Sequence, residues 1–177
     1  MKLSDAKRLV KNYPDFPKEG IQFKDISPVL ENPEAFKALT RSAKQKISAL
    51  EFNKIVGIDA RGFIFGSVLA HVMHKGFIMC RKPGKLPGSL HRASFAYEYA
   101  ETELGIQAER FSPKDNVLII DDVLATGGTA KAAGKIVLNA GANLAGFLFI
   151  VNLPFLKGIE KLEKTFPGVP VYFVLSY

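Results

Sequence analysis

Cysteine is almost missing from this chain. Cys80 is the one thiol in 177 residues, so no intramolecular disulfide can form, and a reducing compartment, the cytoplasm, is expected. Cys80 itself is expected to pack as a small apolar group at a strand end. Long apolar runs are missing too. The longest, Leu144 to Val151, is well short of a membrane span, and residues 1–7 lack the apolar segment of a secretory signal. No internal repeat, low-complexity tract or linker divides the sequence. One domain with a sizeable core, spanning residues 1–177, is therefore expected.

Carboxylates are absent from one long stretch. Between Asp59 and Glu98 there is none, whereas Arg61, Lys75, Arg81, Lys82, Lys85, Arg92 and all three histidines fall there. That window holds nearly the whole formal excess of +7. Concentrated positive charge implies an anionic partner, either nucleic acid or a small diphosphate. The Gly/Pro-rich stretch from Pro83 to Gly88 suits a mobile flap over a small ligand better than a rigid docking surface. His71 and His74 stand at i, i+3 on an expected helix, with no third metal ligand nearby, which reads as an ordinary helix face.

What is present organises into alternating elements. Asn32-Pro33-Glu34 opens a helix with an N-cap, a proline at the first helical position and an acid. Phe36, Leu39, Ala43, Ile47 and Leu50 follow at helical spacing. Short buried strands are expected at Lys54–Ile58, Phe77–Cys80, Asn116–Ile120, Ala145–Val151 and Val171–Leu175. Helices are expected at 63–74, 127–139 and 156–164, and a hairpin near 94–99 and 103–108. Strands alternating with helices make an α/β fold with a mainly parallel sheet flanked by helices. In such sheets ligands bind beyond the carboxyl ends of the strands. Asp59-Ala60-Arg61-Gly62, Arg81-Lys82 and Asp121-Asp122 all fall at such ends.

The most informative string runs from Val117 to Thr129. A β-branched apolar run is closed by Asp121 and Asp122. A loop of small residues follows, Ala125-Thr126-Gly127-Gly128-Thr129, and a helix then begins. Backbone N–H groups in such a glycine loop converge on an anion, and the helix adds its positive end. The carboxylates beside it can accept hydrogen bonds from ribose hydroxyls. No lysine follows as in a Walker loop, and the glycines are adjacent, unlike G-x-G-x-x-G. The arrangement suits a sugar phosphate.

This string resembles the ribose-phosphate loop of the type I phosphoribosyltransferases. Residues 13–28 (Tyr-Pro-Asp-Phe-Pro-Lys-Glu-Gly-Ile-Gln-Phe-Lys-Asp-Ile-Ser-Pro), Gly57 to Phe63, Arg81 to Pro87 and Tyr97-Glu98-Tyr99 narrow the likeness to the adenine phosphoribosyltransferase family. The resemblance implies the type I fold, with a small N-terminal hood over roughly residues 1–30 and a flexible flap over about Pro83 to Ala96. It implies purine salvage: transfer of a 5-phosphoribosyl group from phosphoribosyl diphosphate to adenine, giving AMP and pyrophosphate, with Mg²⁺. The ion is expected to be held through substrate and water near Asp121 and Asp122, without direct side-chain ligation. A cytoplasmic homodimer is implied, with no nucleic-acid or membrane partner.

Roles follow from the same likeness. Asp121, Asp122, Ala125, Thr126, Gly127, Gly128 and Thr129 bind ribose phosphate. Asp59, Ala60, Arg61, Gly62, Arg81, Lys82 and Lys85 meet the diphosphate. The Gln22 carbonyl and Lys24 amide read the base edge, Phe23 stacks on it, and Leu153 supplies apolar contact. Glu98 carries the base proton. Three positions depart from the family: Ala100 where glycine is usual, Asn152 where an acid is usual, and Lys24 where arginine is frequent. Two other readings share these residues, a phosphoribosyltransferase for another purine and a non-catalytic phosphoribosyl diphosphate sensor that regulates nucleic acid.

Overall fold

The computed structural model describes residues 1–97 and 100–177. The chain packs as two compact units, residues 1–45 and 46–177.

The first unit starts with α1 (Leu3–Leu9) and a two-stranded antiparallel ribbon, β1 (Lys11–Pro14) and β2 (Gln22–Asp25). Asp15 turns the chain at φ 57°, and its Oδ1 accepts the Gly20 N–H at 2.7 Å. The Phe16 ring meets Phe23 edge-on, with centroids 5.1 Å apart. Asp25 Oδ1 accepts the Ser27 N–H at 2.9 Å and its hydroxyl at 2.6 Å, which fixes the start of α2 (Ser27–Glu31). Next, α3 (Pro33–Lys46) begins as its sequence dictates: Asn32 Oδ1 accepts the Ala35 N–H at 3.0 Å, a side-chain cap on an otherwise orphan donor. Ala35, Leu39 and Ala43 bury one stripe of that helix.

The second unit is built on a five-stranded sheet. In chain order it comprises β3 (Lys54–Ile58), α4 (Gly62–Val72), β4 (Gly76–Cys80), β5 (Leu90–Tyr97), β6 (Ala100–Gln107), β7 (Asn116–Leu124), α5 (Gly128–Asn139), β8 (Asn143–Asn152), α6 (Gly158–Thr165) and β9 (Val171–Ser176). The sheet order is β4-β3-β7-β8-β9, every pairing parallel. One face carries Val56, Ile58, Ile78, Cys80, Val117, Ile119, Phe147 and Phe149 against α5 and α6. The other carries Ile120 and Phe77 against α4, whose Phe65 and Leu69 are fully buried. Each such large side chain contributes ~1.5–3 kcal/mol by leaving water. Strands covered on both faces read as continuous apolar runs, and these do.

β5 and β6 form an antiparallel hairpin apart from the main sheet. Its return strand is anchored: Leu104 and Ile106 enter the core beside Cys80. Arg81 and Gly105 exchange backbone hydrogen bonds of 3.0 and 2.7 Å at the end of β4.

At the amino ends of the strands a polar hub closes the sheet. Asp115, 4% exposed, accepts from Asn53 Nδ2 (2.9 Å), Lys54 Nζ (2.8 Å) and the Ser112 N–H (2.6 Å). Asn53 Oδ1 in turn accepts the Asn116 N–H at 2.8 Å. Hydrogen bonds from Lys54, Ser112 and Asn53 outweigh the effect of burial and hold the Asp115 carboxyl at about 2, below its ordinary 3.8. The sign follows: the hub's contribution is complete above pH 3.8 and disappears as pH falls towards 2. Asp115→Asn is therefore expected to cost on the order of 2 kcal/mol near neutrality. It should also flatten the acid limb of a stability profile between pH 4 and 2. Urea unfolding across that range checks both; a variant as acid-labile as the parent would remove the hub's role.

Candidate active site

The carboxyl ends of β3, β4 and β7 meet at one edge of the sheet, and the charged residues expected there are brought together. At the end of β3 the chain turns through Asp59 to Arg61 into α4. The Asp59 N–H donates to the Cys80 carbonyl at 2.9 Å, tying this turn to β4, and the Asp59–Ala60 peptide bond is cis. Gly62 is what allows the turn to lie so low. A Cβ there would stand 2.7 Å from the Ile120 carbonyl oxygen and 3.1 Å from Asp121 Oδ1. The first of these is rigid backbone, so any side chain would lift α4 off β7.

The two arginines of the expected diphosphate set are each matched to a carboxylate. Arg81 Nε donates to Asp59 Oδ2 at 2.7 Å, and its guanidinium lies 5.8 Å from the Phe63 ring centroid. Arg61 Nε stands 2.8 Å from Asp122 Oδ2 as a charge contact, while that buried oxygen accepts no hydrogen bond among the described residues. The arginines are thus fixed before any ligand arrives, and Asp59 braces Arg81. Lys82 and Lys85 differ: both are exposed, Lys82 just before the 3₁₀ turn Pro83–Lys85 and Lys85 at its end.

β7 does not end at its carboxylates, as the sequence suggested. It continues to Leu124, with Asp121 opposite Phe149, Val123 opposite Val151 and Leu124 opposite Asn152. Ladder bonding to β8 overrides the low strand preference of aspartate. The pair is therefore held on rigid backbone, and the Asp122 N–H donates to Asp121 Oδ1 at 2.8 Å. Asp121 keeps some exposed area, but its carboxyl is enclosed. Burial first, then the neighbouring Asp122 charge, raises it well above the ordinary carboxylate value. Burial raises Asp122 as well, and Arg61 works against that rise. Two enclosed carboxyls and an oxygen without a hydrogen-bond donor form an acceptor site for hydroxyls or for a hydrated cation. Among the described residues no three His, Cys, Asp or Glu side chains group as a metal cage. The donors at this pair are all oxygen, the chemistry that Mg²⁺ takes.

Beyond Leu124 the loop Ala125–Gly127 delivers the chain to α5. Gly127 sits at φ 75°, left-handed backbone that glycine adopts without cost, and is buried. Its carbonyl accepts the Lys131 N–H at 2.9 Å, so the first turn of α5 closes directly on the loop. Thr126 is exposed at the tip. A twelve-residue helix whose amino end opens behind a glycine loop has the geometry to hold an anion.

Cys80, facing the same core as the site, has its thiol pushed up chiefly by burial and further by the Asp121 and Asp59 charges. It is a packing residue, as its sequence context implied. The expected base-reading residues lie in separate units. Gln22, Phe23 and Lys24 make up most of β2, and Leu153 is buried after β8 with its N–H on the Leu124 carbonyl at 3.0 Å. Opposite Gln22 stands Pro14, which has no N–H and so cannot occupy the Gln22 carbonyl. Glu98 lies outside the described residues.

Sequence reasoning missed Gly158. A Cβ on it would stand far closer to the Ala125 carbonyl oxygen than van der Waals contact allows, and 2.8 Å from Leu124 Cδ1. Only its tertiary contact distinguishes it from the chain's other glycines.

Known proteins share this architecture. The family model for the phosphoribosyl transferase domain matches residues 25–167. An adenine phosphoribosyltransferase of Idiomarina loihiensis is 41% identical over 174 residues, covering 98% of this chain and 97% of that one. The Giardia lamblia enzyme, solved with 9-deazaadenine, superposes with a TM-score of 0.94 at 36% identity, over 100% of this chain and 98% of that one. The Saccharomyces cerevisiae adenine phosphoribosyltransferase, solved with an imino-altritol bisphosphate and adenine, gives 0.88 at 37% identity, over 98% of each chain.

Proposed function

We infer the reaction of this chain from its family: it belongs to the adenine phosphoribosyltransferases, and it transfers the 5-phosphoribosyl group of phosphoribosyl diphosphate to adenine, releasing AMP and pyrophosphate. This is a purine-salvage reaction. Neither another purine base nor a non-catalytic nucleic-acid regulator finds support in these likenesses.

One observation carries the residue assignment. The ends of β3, β4 and β7 gather two arginines, three aspartates and a glycine loop that opens onto α5. Displacing diphosphate from an anomeric carbon makes three demands. The leaving group must be neutralised, the developing oxocarbenium-like centre kept from water, and the incoming nitrogen held in line. For the first, the turn 59–62, Arg61, Arg81, Lys82 and Lys85 face the diphosphate. Arg81 is held for this by Asp59, and Arg61 by Asp122. When bound, Mg²⁺ neutralises diphosphate charge. The Asp121–Asp122 pair accepts from the ribose hydroxyls, and residues 125–129 hold the 5′-phosphate.

For the second demand, the segment 83–96 acts as the flap. It is expected to be cut more slowly by a protease when phosphoribosyl diphosphate and Mg²⁺ are added. Equal cleavage with and without ligand would remove the lid.

For the third, the Gln22 carbonyl and Lys24 amide pair with adenine's amine and ring nitrogen. Pro14 leaves that carbonyl without a ladder donor. Hypoxanthine and guanine present the reverse pattern and leave unpaired groups, a penalty worth ~10⁴-fold or more. Glu98 manages the proton. The hood, residues 1 to about 30, carries this base edge.

The family further implies a cytoplasmic homodimer. Exposed Val72 on α4 and Met79 on the edge strand β4 give it apolar surface to bury. No helix among the described residues is long and apolar enough to cross a membrane.

The test is product formation. Protein, Mg²⁺ and phosphoribosyl diphosphate are incubated with adenine, hypoxanthine or guanine in turn. Nucleotide and pyrophosphate are expected with adenine alone; product with another base only, or none at all, would overturn the assignment.

A further inference from the structure

The geometry points to Gly158 as a positioning residue for the 5′-phosphate: the amino end of α6 is a backstop that sets the height of the Ala125–Gly127 loop, and it works because residue 158 has no side chain. This rests on the reading of residues 125–129 as the phosphate loop. Three facts converge on it. A Cβ at Gly158 would overlap the Ala125 carbonyl oxygen and lie 2.8 and 2.9 Å from Leu124 Cδ1 and Cγ. The contact is reciprocal, since a Cβ at Gly127 would meet the Gly158 carbonyl oxygen at 3.0 Å and its Cα at 3.4 Å. And Lys157, just before it, takes the left-handed φ of 55° that a side-chain-bearing residue rarely adopts, which brings the two backbones face to face.

Two backbones in such contact leave the loop no room to retreat. Its N–H groups are therefore held at one distance from whatever anion sits in front of α5. A methyl group at 158 cannot be absorbed by rotating a side chain, because its nearest neighbour is a peptide oxygen. The loop must move forward into the space of the phosphate. In the turn 59–62, which meets the diphosphate, a Cβ at Gly62 would meet Ile120 and Asp121 first, whereas one at Gly158 meets Ala125 and Leu124, so the two ends of phosphoribosyl diphosphate should respond differently.

The experiment titrates ribose 5-phosphate and, separately, pyrophosphate, each with Mg²⁺, into the parent protein and into Gly158→Ala, Leu124→Ala and the double variant. Circular dichroism monitors the fold. Gly158→Ala is expected to weaken ribose 5-phosphate about tenfold or more and to leave pyrophosphate within about twofold, with KM for phosphoribosyl diphosphate rising more than kcat falls. The double variant, which keeps only the carbonyl collision, should show the same loss. Undiminished ribose 5-phosphate affinity overturns the inference. So does a parallel loss of both ligands, or recovery in the double variant, which would route the effect through Leu124 packing. If Gly158→Ala does not fold, the double variant is read in its place; failure of both to fold makes Gly158 a folding residue and also overturns the inference. A parent protein that does not bind ribose 5-phosphate instead rejects the phosphate-loop reading itself.

Discussion

Asp121→Asn is expected to make the protein harder to melt and nearly unable to use phosphoribosyl diphosphate. The ionised Asp121 carboxylate is enclosed and stands beside a second carboxylate, so its charge costs stability in the folded state. An amide of the same shape removes that cost. It also keeps a local hydrogen bond, since its Oδ1 can still accept the Asp122 N–H. The linkage sign is fixed by the raised carboxyl. Its penalty exists only above the unfolded value of 3.8, where the charge forms on unfolding but is resisted on folding. The variant should thus exceed the parent's midpoint near pH 7, by ~2–4 °C for each kcal/mol relieved in a chain of this size, and match it near pH 3. Turnover should fall by about a hundredfold, the scale seen when one preorganised electrostatic contact to the transition state is lost. Thermal melts at the two pH values, with steady-state kinetics, check both halves. A destabilised variant, or one with full activity, would contradict the account. Asp122→Asn is the instructive contrast. It would give up the Arg61 contact, so its stability gain should be smaller or reversed.

Glu98→Gln is expected to lower kcat by roughly 10²–10⁴-fold, the range for losing a positioned general acid–base group, while KM for adenine changes little. Adenine must shed a proton overall as its ring nitrogen attacks, and a carboxyl beside the ring is the group able to hold it. One rival of the same type already has a partner. Glu103 is engaged by Arg92, Nη1 to Oε2 at 3.3 Å, across the β5–β6 ladder. Glu103→Gln should therefore leave turnover close to the parent value. Single-turnover measurements on both variants decide the matter, and unchanged chemistry in Glu98→Gln would exclude it as the proton carrier.

Local chemistry wrote much of this fold into the sequence, and tertiary contact wrote the rest. Lys54–Ile58 appears as a strand with the expected bounds because it is a β-branched run bounded by a polar start and an Asp-Ala-Arg turn. The helix at Pro33 is fixed by its own cap. The β1–β2 ribbon gave no such signal: four-residue strands with β1 wholly exposed have no alternation to read. The continuation of β7 to Leu124 depends on β8, which no window around Asp121 can see. In the site, residue type and position at strand ends were enough to gather Asp59, Arg61, Arg81, Asp121 and Asp122 at one edge. Which arginine takes which aspartate was not legible, since Arg81 answers Asp59 and Arg61 reaches Asp122 far along the chain. Gly158 was illegible for the same reason.

The sheet is chemically lopsided, and that has a bearing on its improvement by selection. At the amino ends of its strands Asp115 accepts three hydrogen bonds; at the opposite ends Asp121 is enclosed beside a second carboxyl. A library screened only for heat tolerance should therefore drift towards a neutral residue at 121 and leave 115 untouched. Its hardiest members would be the ones that no longer make AMP.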